Sequence, residues 1–405
     1  PGKKASVKAA APPKAAAPLR LTKEQEQDIL SAFAEDIALS LEDIVDAAEA
    51  GPAGANGGKE KKAAAGKREG RGGEEDARTA AAAAAPRASA SSEGGRRPKQ
   101  KGGGSAGLSA KKMLEFERNG HVKLEDVVGA CGVTEDELAA ALDDVLEARQ
   151  LEAYKQKLRV FGVVQREVDR QRTAEEARDL LEQVCEDEGR EVPFLQLFHV
   201  HRGATVGADV LRKVAESEAM GKLASELLGV DRVRLYQTAA FVKLPGHGET
   251  AWHSDLNTSP MDTNGMLTFW LPLTPIPDLD HAPLEFATGS HRDFALPYWH
   301  TNEGMEDLGS RGYPIMHHLP LYPGDCTAHH GWLLHSSPPN LSPRPRKALT
   351  LSYVADGVRR LAEEGLRRKP DDEDLEGYAD WLPGVKPGAV IKALPLVFDA
   401  RKPRS

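Results

Sequence analysis

Trp252-His253-Ser254-Asp255 is the stretch of sequence that most directly indicates the fold, and His335 follows 80 residues after Asp255. In a β-strand, side chains two positions apart point to the same face of the sheet. We therefore expect His253 and Asp255 to point to one place, while Trp252 and Ser254 face away. Because a His-x-Asp triplet often occurs by chance, its meaning depends on the segments around it.

The segments around this motif are short, strand-like and separated by turns. A strand-like run over Arg234–Lys243 ends in Leu244-Pro-Gly-His-Gly248, and an alternating run covers Leu267–Leu273. Such strands between Pro and Gly turns predict an antiparallel sandwich or barrel of the jelly-roll or cupin kind. The expected fold is mainly β with flanking helices, a double-stranded β-helix barrel with helices packed on one sheet. Capping boxes that begin at Thr134 and Thr173 predict two of those helices.

Two imidazoles and one carboxylate leave three positions of an octahedral ion open, which is the ligand set of non-heme Fe(II) oxygenases. The sequence supplies this set if His335 joins His253 and Asp255. Alternatively, His253 is an ordinary surface or core histidine, and Asp255 is its hydrogen-bond partner at a strand end. Histidine pairs with an expected structural role lie at positions 199/201, 317/318 and 329/330, although His329 or His330 could assist the site from behind the ligands.

Several motifs, taken in order along about residues 116–396, resemble the phytanoyl-CoA dioxygenase family of Fe(II)/2-oxoglutarate oxygenases. The segments that carry the resemblance are Phe116–Val128, His253-Ser-Asp255, Gly289-Ser-His291, Gly324-Asp325 followed by His335, Arg346-Lys347 and Trp381-Leu-Pro-Gly384. The chain departs from the family at Ser254, where relatives usually have Gln, and at His281–Leu284, where they have Asn-Gly. An upstream lysine that contacts the cosubstrate in some relatives has no clear counterpart.

The resemblance implies that His253, Asp255 and His335 bind Fe(II). It also implies that Arg346 binds the distal carboxylate of 2-oxoglutarate, because a guanidinium can grip a carboxylate through two hydrogen bonds. The residues expected to line the cosubstrate site are Trp270, Thr268 and Ser337. The implied reaction uses O2, with ascorbate as a candidate reductant, and couples decarboxylation of 2-oxoglutarate to succinate and CO2 with hydroxylation of an unactivated C–H bond. The carboxylate of Asp255 favours hydroxylation over halogenation.

The pattern after Arg346 agrees with this assignment. The small or polar face of the predicted strand consists of Arg346, Ala348, Thr350 and Ser352, and the apolar face consists of Leu349, Leu351 and Tyr353. The first face suits a cosubstrate, and the second suits packing on the outside of a sheet. Further candidates to line the site are Gln237, Thr238 and Lys243.

Composition divides the chain into three regions. Residues 1–50 form an N-terminal extension with an amphipathic helix at about 22–48, residues 51–107 form a linker that is expected to be disordered, and residues 108–400 form the oxygenase domain. Residues 51–106 carry 12 Lys/Arg and 6 Asp/Glu, so the rest of the chain has a net charge of −15. This acidic remainder argues against specific nucleic-acid binding.

The sequence leaves the substrate, the partners and the compartment open. A small molecule and an acyl-CoA are both candidate substrates. The alternative function is a catalytically silent relative that acts as a binding or scaffold module through the helix at 22–48, which could also bind a protein partner, dimerise or dock back. No transmembrane span is predicted, and the three scattered cysteines fit a reducing, intracellular compartment. Residues 1–20 resemble part of a mitochondrial or plastid transit peptide or more linker, so both a cytoplasmic and an organellar location stay open.

Overall fold

The computed structural model describes residues 108–293, 311–362, 365–366 and 372–402. The predicted helix at about 22–48 and the predicted linker at 51–107 lie outside the described residues. None of the described helices is long and apolar enough to cross a membrane.

The strands form two main antiparallel sheets. The strands of the larger sheet are β1 (His121–Leu124), β2 (Leu195–Phe198), β3 (Arg232–Lys243), β6 (Met266–Pro272), β9 (Cys326–His330), β11 (Arg346–Ala355) and β13 (Leu396–Asp399). Their order is β1-β9-β6-β11-β3-β13, and β2 also pairs with β3. The strands of the smaller sheet are β4 (Thr250–His253), β7 (Glu285–Ala287), β8 (Ile315–Met316) and β10 (His335–Ser337), in the order β4-β10-β7-β8. A separate pair consists of β5 (Met261–Asp262) and β12 (Arg359–Arg360).

The helices lie mainly before the strands that carry the motifs. They are α1 (Ala110–Asn119), α2 (Glu135–Val160), α3 (Gln165–Val168), α4 (Ala174–Asp187), α5 (Val206–Ala215), α6 (Glu218–Leu228), the single turn α7 (Asp255–Thr258) and α8 (Asp372–Tyr378). Both predicted capping boxes are present. The Thr134 hydroxyl accepts from the Glu137 backbone N–H at 3.2 Å, and the Glu137 carboxylate accepts from the Thr134 N–H at 2.8 Å. These bonds satisfy donors that the first turn of a helix leaves free.

One hydrophobic cluster joins the helices to the outer face of the larger sheet. The residues that β6 and β11 contribute to this cluster are Leu267, Phe269, Leu271, Leu349, Leu351 and Tyr353. The Tyr353 hydroxyl donates to the carbonyl of Ala215 in α5 at 2.6 Å, which gives this buried phenol a partner. Burial of each large apolar side chain contributes about 1.5–3 kcal/mol, so this face holds the helices in place.

The inner face of the larger sheet is polar and lies against the smaller sheet across a cavity of about 410 Å³, which residues of both sheets line. The predicted fold class is therefore confirmed as mainly antiparallel β with flanking helices. The described strands form separate sheets and do not close into a barrel.

Candidate active site

His253 and Asp255 lie next to each other but not on one strand. β4 ends at His253, and Asp255 begins the single turn α7. Ser254 between them is extended, with φ −126° and ψ 138°, so the two side chains still point to one side. The strand ends here because the Leu256 N–H donates to the Gly331 carbonyl and the Asn257 N–H to that of Ser254. The expectation of a continuous strand through Asp255 is therefore wrong, whereas the common direction of the two side chains is as expected. The expectation that Trp252 faces away is also wrong, because Trp252 lines the same cavity.

His335 completes the cluster through strand pairing. It lies opposite His253 in the register of β10 with β4, and the two ring centroids are 4.2 Å apart. One ligand atom from each of His253, Asp255 and His335 lies within 4.8 Å of the others. The Nε2 atoms of His253 and His335 are 3.9 and 3.7 Å from Oδ1 of Asp255.

The imidazoles are oriented by backbone carbonyls. Nδ1 of His253 is 2.8 Å from the Ala251 carbonyl, and Nδ1 of His335 is 3.0 Å from the Leu333 carbonyl. A carbonyl only accepts hydrogen bonds, so each Nδ1 carries a proton, and Nε2 is the nitrogen left to face the other ligands. Carbonyl contacts of this kind fix the tautomer of metal-binding histidines.

The electrostatics favour the protonation states that a metal requires. Burial alone would raise the pKa of the Asp255 carboxyl, but the neighbouring imidazoles of His329 and His335 hold that pKa well below its ordinary value. Burial, followed by the neighbouring imidazoles of His253 and His329, lowers the pKa of His335 well below its ordinary value. Asp255 is therefore a carboxylate and His335 a neutral imidazole at neutral pH.

Arg346 lies at the start of β11 and is 4% exposed. Its Nη2 donates to the Ser337 hydroxyl at 3.1 Å, and its guanidinium lies 5.5 Å from the centre of the Trp270 ring. Its Nε has no hydrogen-bond partner, and no carboxylate of the described residues forms an ion pair with it. Burial lowers the pKa of this guanidinium to about 9. A buried cation without a counter-ion is costly, so this position suits an anionic ligand.

A second buried cation, Lys243, lies directly opposite Arg346 in the register of β3 with β11. Its Nζ donates to the carbonyl and hydroxyl of Ser337 at 2.9 and 3.1 Å and to the Pro338 carbonyl at 2.9 Å. Burial, and then the charge of Arg346, lowers the pKa of Lys243 to about 7. The Ser337 hydroxyl donates its own proton to the Ala282 carbonyl at 3.2 Å, so it accepts from both cations and links them.

The structure brings all seven predicted site residues to the wall of the one cavity: His253, Asp255, His335, Arg346, Trp270, Ser337 and Thr268. Of the further candidates, Gln237 lines this cavity. Lys243 lies behind Ser337, and Thr238 faces away to bond with the His201 ring at 2.7 Å.

The sequence left open whether His329 or His330 assists the site, and of the two it is His329 that lines the cavity. Its Nε2 is 3.3 Å from Oδ2 of Asp255, and its ring centroid is 4.3 Å from that of His335. The pairing of β9 with β6 places His329 opposite Thr268, and alternation along β9 turns His330 to the other face. Only that cross-strand register, which the sequence does not contain, distinguishes the two histidines.

Several solved structures are similar to this chain at low identity. The α-ketoglutarate-dependent carbocyclase SnoK from nogalamycin biosynthesis is 21% identical, with 73% of this chain and 100% of that chain covered and a TM-score of 0.49. EctD from S. alaskensis, solved with 2-oxoglutarate and 5-hydroxyectoine, is 23% identical, with 68% and 86% covered and a TM-score of 0.43. AviO1 from Streptomyces viridochromogenes Tue57 is 20% identical, with 62% and 96% covered and a TM-score of 0.39.

No curated protein sequence matches the chain. The model of the phytanoyl-CoA dioxygenase (PhyH) family matches residues 116–348, which is more than half of the chain and contains the His253, Asp255 and His335 cluster together with Arg346. The chain belongs to the phytanoyl-CoA dioxygenase (PhyH) family.

Proposed function

We propose that this protein is an Fe(II)- and 2-oxoglutarate-dependent dioxygenase that hydroxylates an unactivated C–H bond of a small molecule and releases succinate and CO2. One observation carries the proposal. The His253, Asp255 and His335 cluster shares a cavity with Arg346, a buried guanidinium that has no carboxylate partner among the described residues. The first feature fits a metal ion, and the second fits a carboxylate ligand.

The donor set fits ferrous iron. Two neutral imidazoles and one carboxylate would hold one face of an octahedral ion and leave the other face for ligands. His253 and His335 would bind through Nε2, because their Nδ1 atoms bond to backbone carbonyls. When bound, Fe(II) supplies O2 activation coupled to the oxidative decarboxylation of 2-oxoglutarate.

The cation pair fits the distal carboxylate of 2-oxoglutarate. Arg346 would form charge-assisted hydrogen bonds to the carboxylate through guanidinium atoms such as Nε that have no partner. The Trp270 ring, which lies beside the guanidinium, would contact the cosubstrate. Lys243 and Ser337 hold this arrangement in place through bonds at 2.9–3.1 Å. Because both cations are buried, they act at low dielectric, where an anion is bound more strongly than at the surface.

The remaining wall of the cavity suits the substrate. It includes the aromatic residues Tyr236, Trp252 and Tyr378 and the amide of Asn257. A cavity of about 410 Å³ matches a small molecule or the acyl part of a larger one, and it must also admit the cosubstrate. The carboxylate of Asp255 occupies the ligand position that a halide would need, which supports hydroxylation as the reaction.

The first test needs no substrate. Fe(II) and 2-oxoglutarate are added anaerobically to the full-length protein, with ascorbate as reductant. The expected signal is a weak visible metal-to-ligand charge-transfer band, which would indicate 2-oxoglutarate bound to an iron ion at the two histidines and one carboxylate. The His335→Ala variant should lack the band. The His281→Ala variant should keep it, because His281 does not line the cavity.

Consumption of 2-oxoglutarate and O2, followed with candidate small molecules and with an acyl-CoA, then identifies the substrate class. A wild-type protein that binds neither iron nor 2-oxoglutarate would contradict the proposal. That result would favour the catalytically silent alternative and direct attention to the predicted helix at 22–48.

A further inference from the structure

His329 is a buried histidine that the proposed reaction does not yet use. It lies in β9, its side chain is 2% exposed, and it lines the cavity. Its ring lies between His335, at a centroid distance of 4.3 Å, and Phe286, at 5.8 Å. Nε2 is 3.3 Å from Oδ2 of Asp255, and neither ring nitrogen forms a hydrogen bond of regular geometry with any of the described residues. A buried imidazole in such surroundings is costly unless it has a polar role.

The two oxygens of the Asp255 carboxylate have different surroundings. Oδ1 faces Nε2 of His253 at 3.9 Å and Nε2 of His335 at 3.7 Å. Oδ2 points the other way, where it accepts from the Thr268 hydroxyl at 2.7 Å and lies beside His329. The Thr268 hydroxyl donates its one proton to Oδ2, so in its 2.9 Å hydrogen bond with the Ser352 hydroxyl it is the acceptor. One oxygen thus faces the other two ligands, and the other faces donors.

We propose that His329 is a positioning residue that donates from Nε2 to Oδ2 and holds Asp255 as a one-oxygen ligand. This inference rests on the proposed metal site. A carboxylate whose outer oxygen is free can rotate and bind an ion through both oxygens, which would occupy a position that the cosubstrate or O2 requires. With Oδ2 fixed by two donors, Oδ1 alone is available to the metal. Partners behind the ligands commonly control metal affinity in this way.

The test uses full-length protein and Mn(II), which needs no turnover, with free Mn(II) measured by electron paramagnetic resonance. His329→Phe removes the donor at similar volume, and His329→Gln keeps an N–H donor. His330→Phe is the matched control, because it makes the same change on the opposite face of β9, away from the cavity. We expect His329→Phe to weaken Mn(II) binding by about 10–100-fold. His329→Gln should recover most of that loss, and His330→Phe should bind Mn(II) like the wild type.

The visible absorption spectrum of bound Co(II) gives a second readout, which loss of packing around residue 329 alone would not change. In His329→Phe the carboxylate can bind through both oxygens and displace a bound water, so the visible Co(II) spectrum should differ from that of the wild type. The His329→Gln protein should keep the wild-type spectrum. If His329→Phe does not fold, His329→Leu provides the same comparison without a donor.

Wild-type Mn(II) affinity and an unchanged Co(II) spectrum in the donor-free variant would overturn this inference and leave the metal site intact. A His329→Gln protein that binds Mn(II) as weakly as His329→Phe would overturn it as well. A wild-type protein that binds no Mn(II) would instead overturn the proposed function itself, and the inference with it.

Discussion

Replacement of Arg346 with Met should stabilise the protein without ligand and remove its response to 2-oxoglutarate. In the protein alone, burial lowers the pKa of Arg346 from 12.5 to about 9, which corresponds to roughly 5 kcal/mol of unfavourable free energy for the charged form. Met fills a similar volume without that cost. The substitution also loses the hydrogen bond to Ser337 and the contact with the Trp270 ring, which together offset about 1–3 kcal/mol. We therefore expect a net stabilisation of about 2–4 kcal/mol.

The effect on ligand binding has the opposite sign. Each charge-assisted hydrogen bond contributes about 1.5–3 kcal/mol, so loss of the guanidinium should weaken 2-oxoglutarate binding by about one to two orders of magnitude or more. Higher stability without ligand together with weaker 2-oxoglutarate binding would identify Arg346 as a ligand-binding residue. An arginine with a purely structural role would lower stability on removal and leave the affinity for a dicarboxylate unchanged.

Thermal unfolding of wild-type and Arg346→Met protein, with Mn(II) and with or without 2-oxoglutarate, measures both quantities. The variant should unfold at a higher temperature than the wild type without 2-oxoglutarate, and only the wild type should gain stability when it is added. Lys347→Met is the matched control, because Lys347 points to the other face of β11 and pairs with Asp143 there. A less stable Arg346→Met protein that still responds to 2-oxoglutarate would refute the assignment.

Three further predictions follow from the described contacts. 2-Oxoglutarate affinity should fall as pH rises above about 7, because the pKa of Lys243 is about 7 in the free protein and a bound anion favours the protonated amine. Calorimetry in two buffers at pH 8 should detect proton uptake on binding, and the absence of proton uptake would contradict this role of Lys243. Thr268→Val should weaken Mn(II) binding about tenfold or more, because Asp255 loses the donor at 2.7 Å, and unchanged binding would count against that role. Gly207→Ala should lower the free energy of unfolding by about 1–3 kcal/mol, since the Cβ of the new alanine would lie 2.2 Å from the Ala141 carbonyl oxygen. An unchanged unfolding temperature would exclude this close contact between α5 and α2.

The sequence could predict the fold class because it depends on local patterns, and the grouping of the candidate ligands because short motifs resemble those of a known family. The alternation after Arg346 predicted a polar face and an apolar face, and the structure places Arg346 in the cavity and Leu349 in the cluster beneath the helices. The first feature requires only a side-chain period of two. The choice of His335 among thirteen histidines rested on the resemblance, because His335 stands ten residues after Asp325, as in the Gly-Asp…His element of the family.

The parts that the sequence could not predict depend on contacts between distant strands. Lys243 is important because it lies opposite Arg346, and no local pattern marks a cross-strand partner 103 residues away. Ser337 was expected to line the cosubstrate site. In the structure its proton goes to the Ala282 carbonyl, so its hydroxyl serves the site as an acceptor between the two cations. Its role could be assigned only once all its neighbours were known.

A β-bulge shows how a regular strand pattern and an irregular site coexist. β11 pairs Ser352 with Gln237 and Tyr353 with Leu235, which leaves Tyr236 without an opposite residue. A bulge redirects side chains locally, and Tyr236 and Gln237 both line the cavity although consecutive residues of a regular strand face opposite sides. Leu235 remains in the hydrophobic cluster between the larger sheet and the helices, so the apolar face of β3 still packs against the helices beyond the bulge. The extra residue therefore adds an aromatic wall to the cavity while the register that positions Arg346 and Lys243 is preserved.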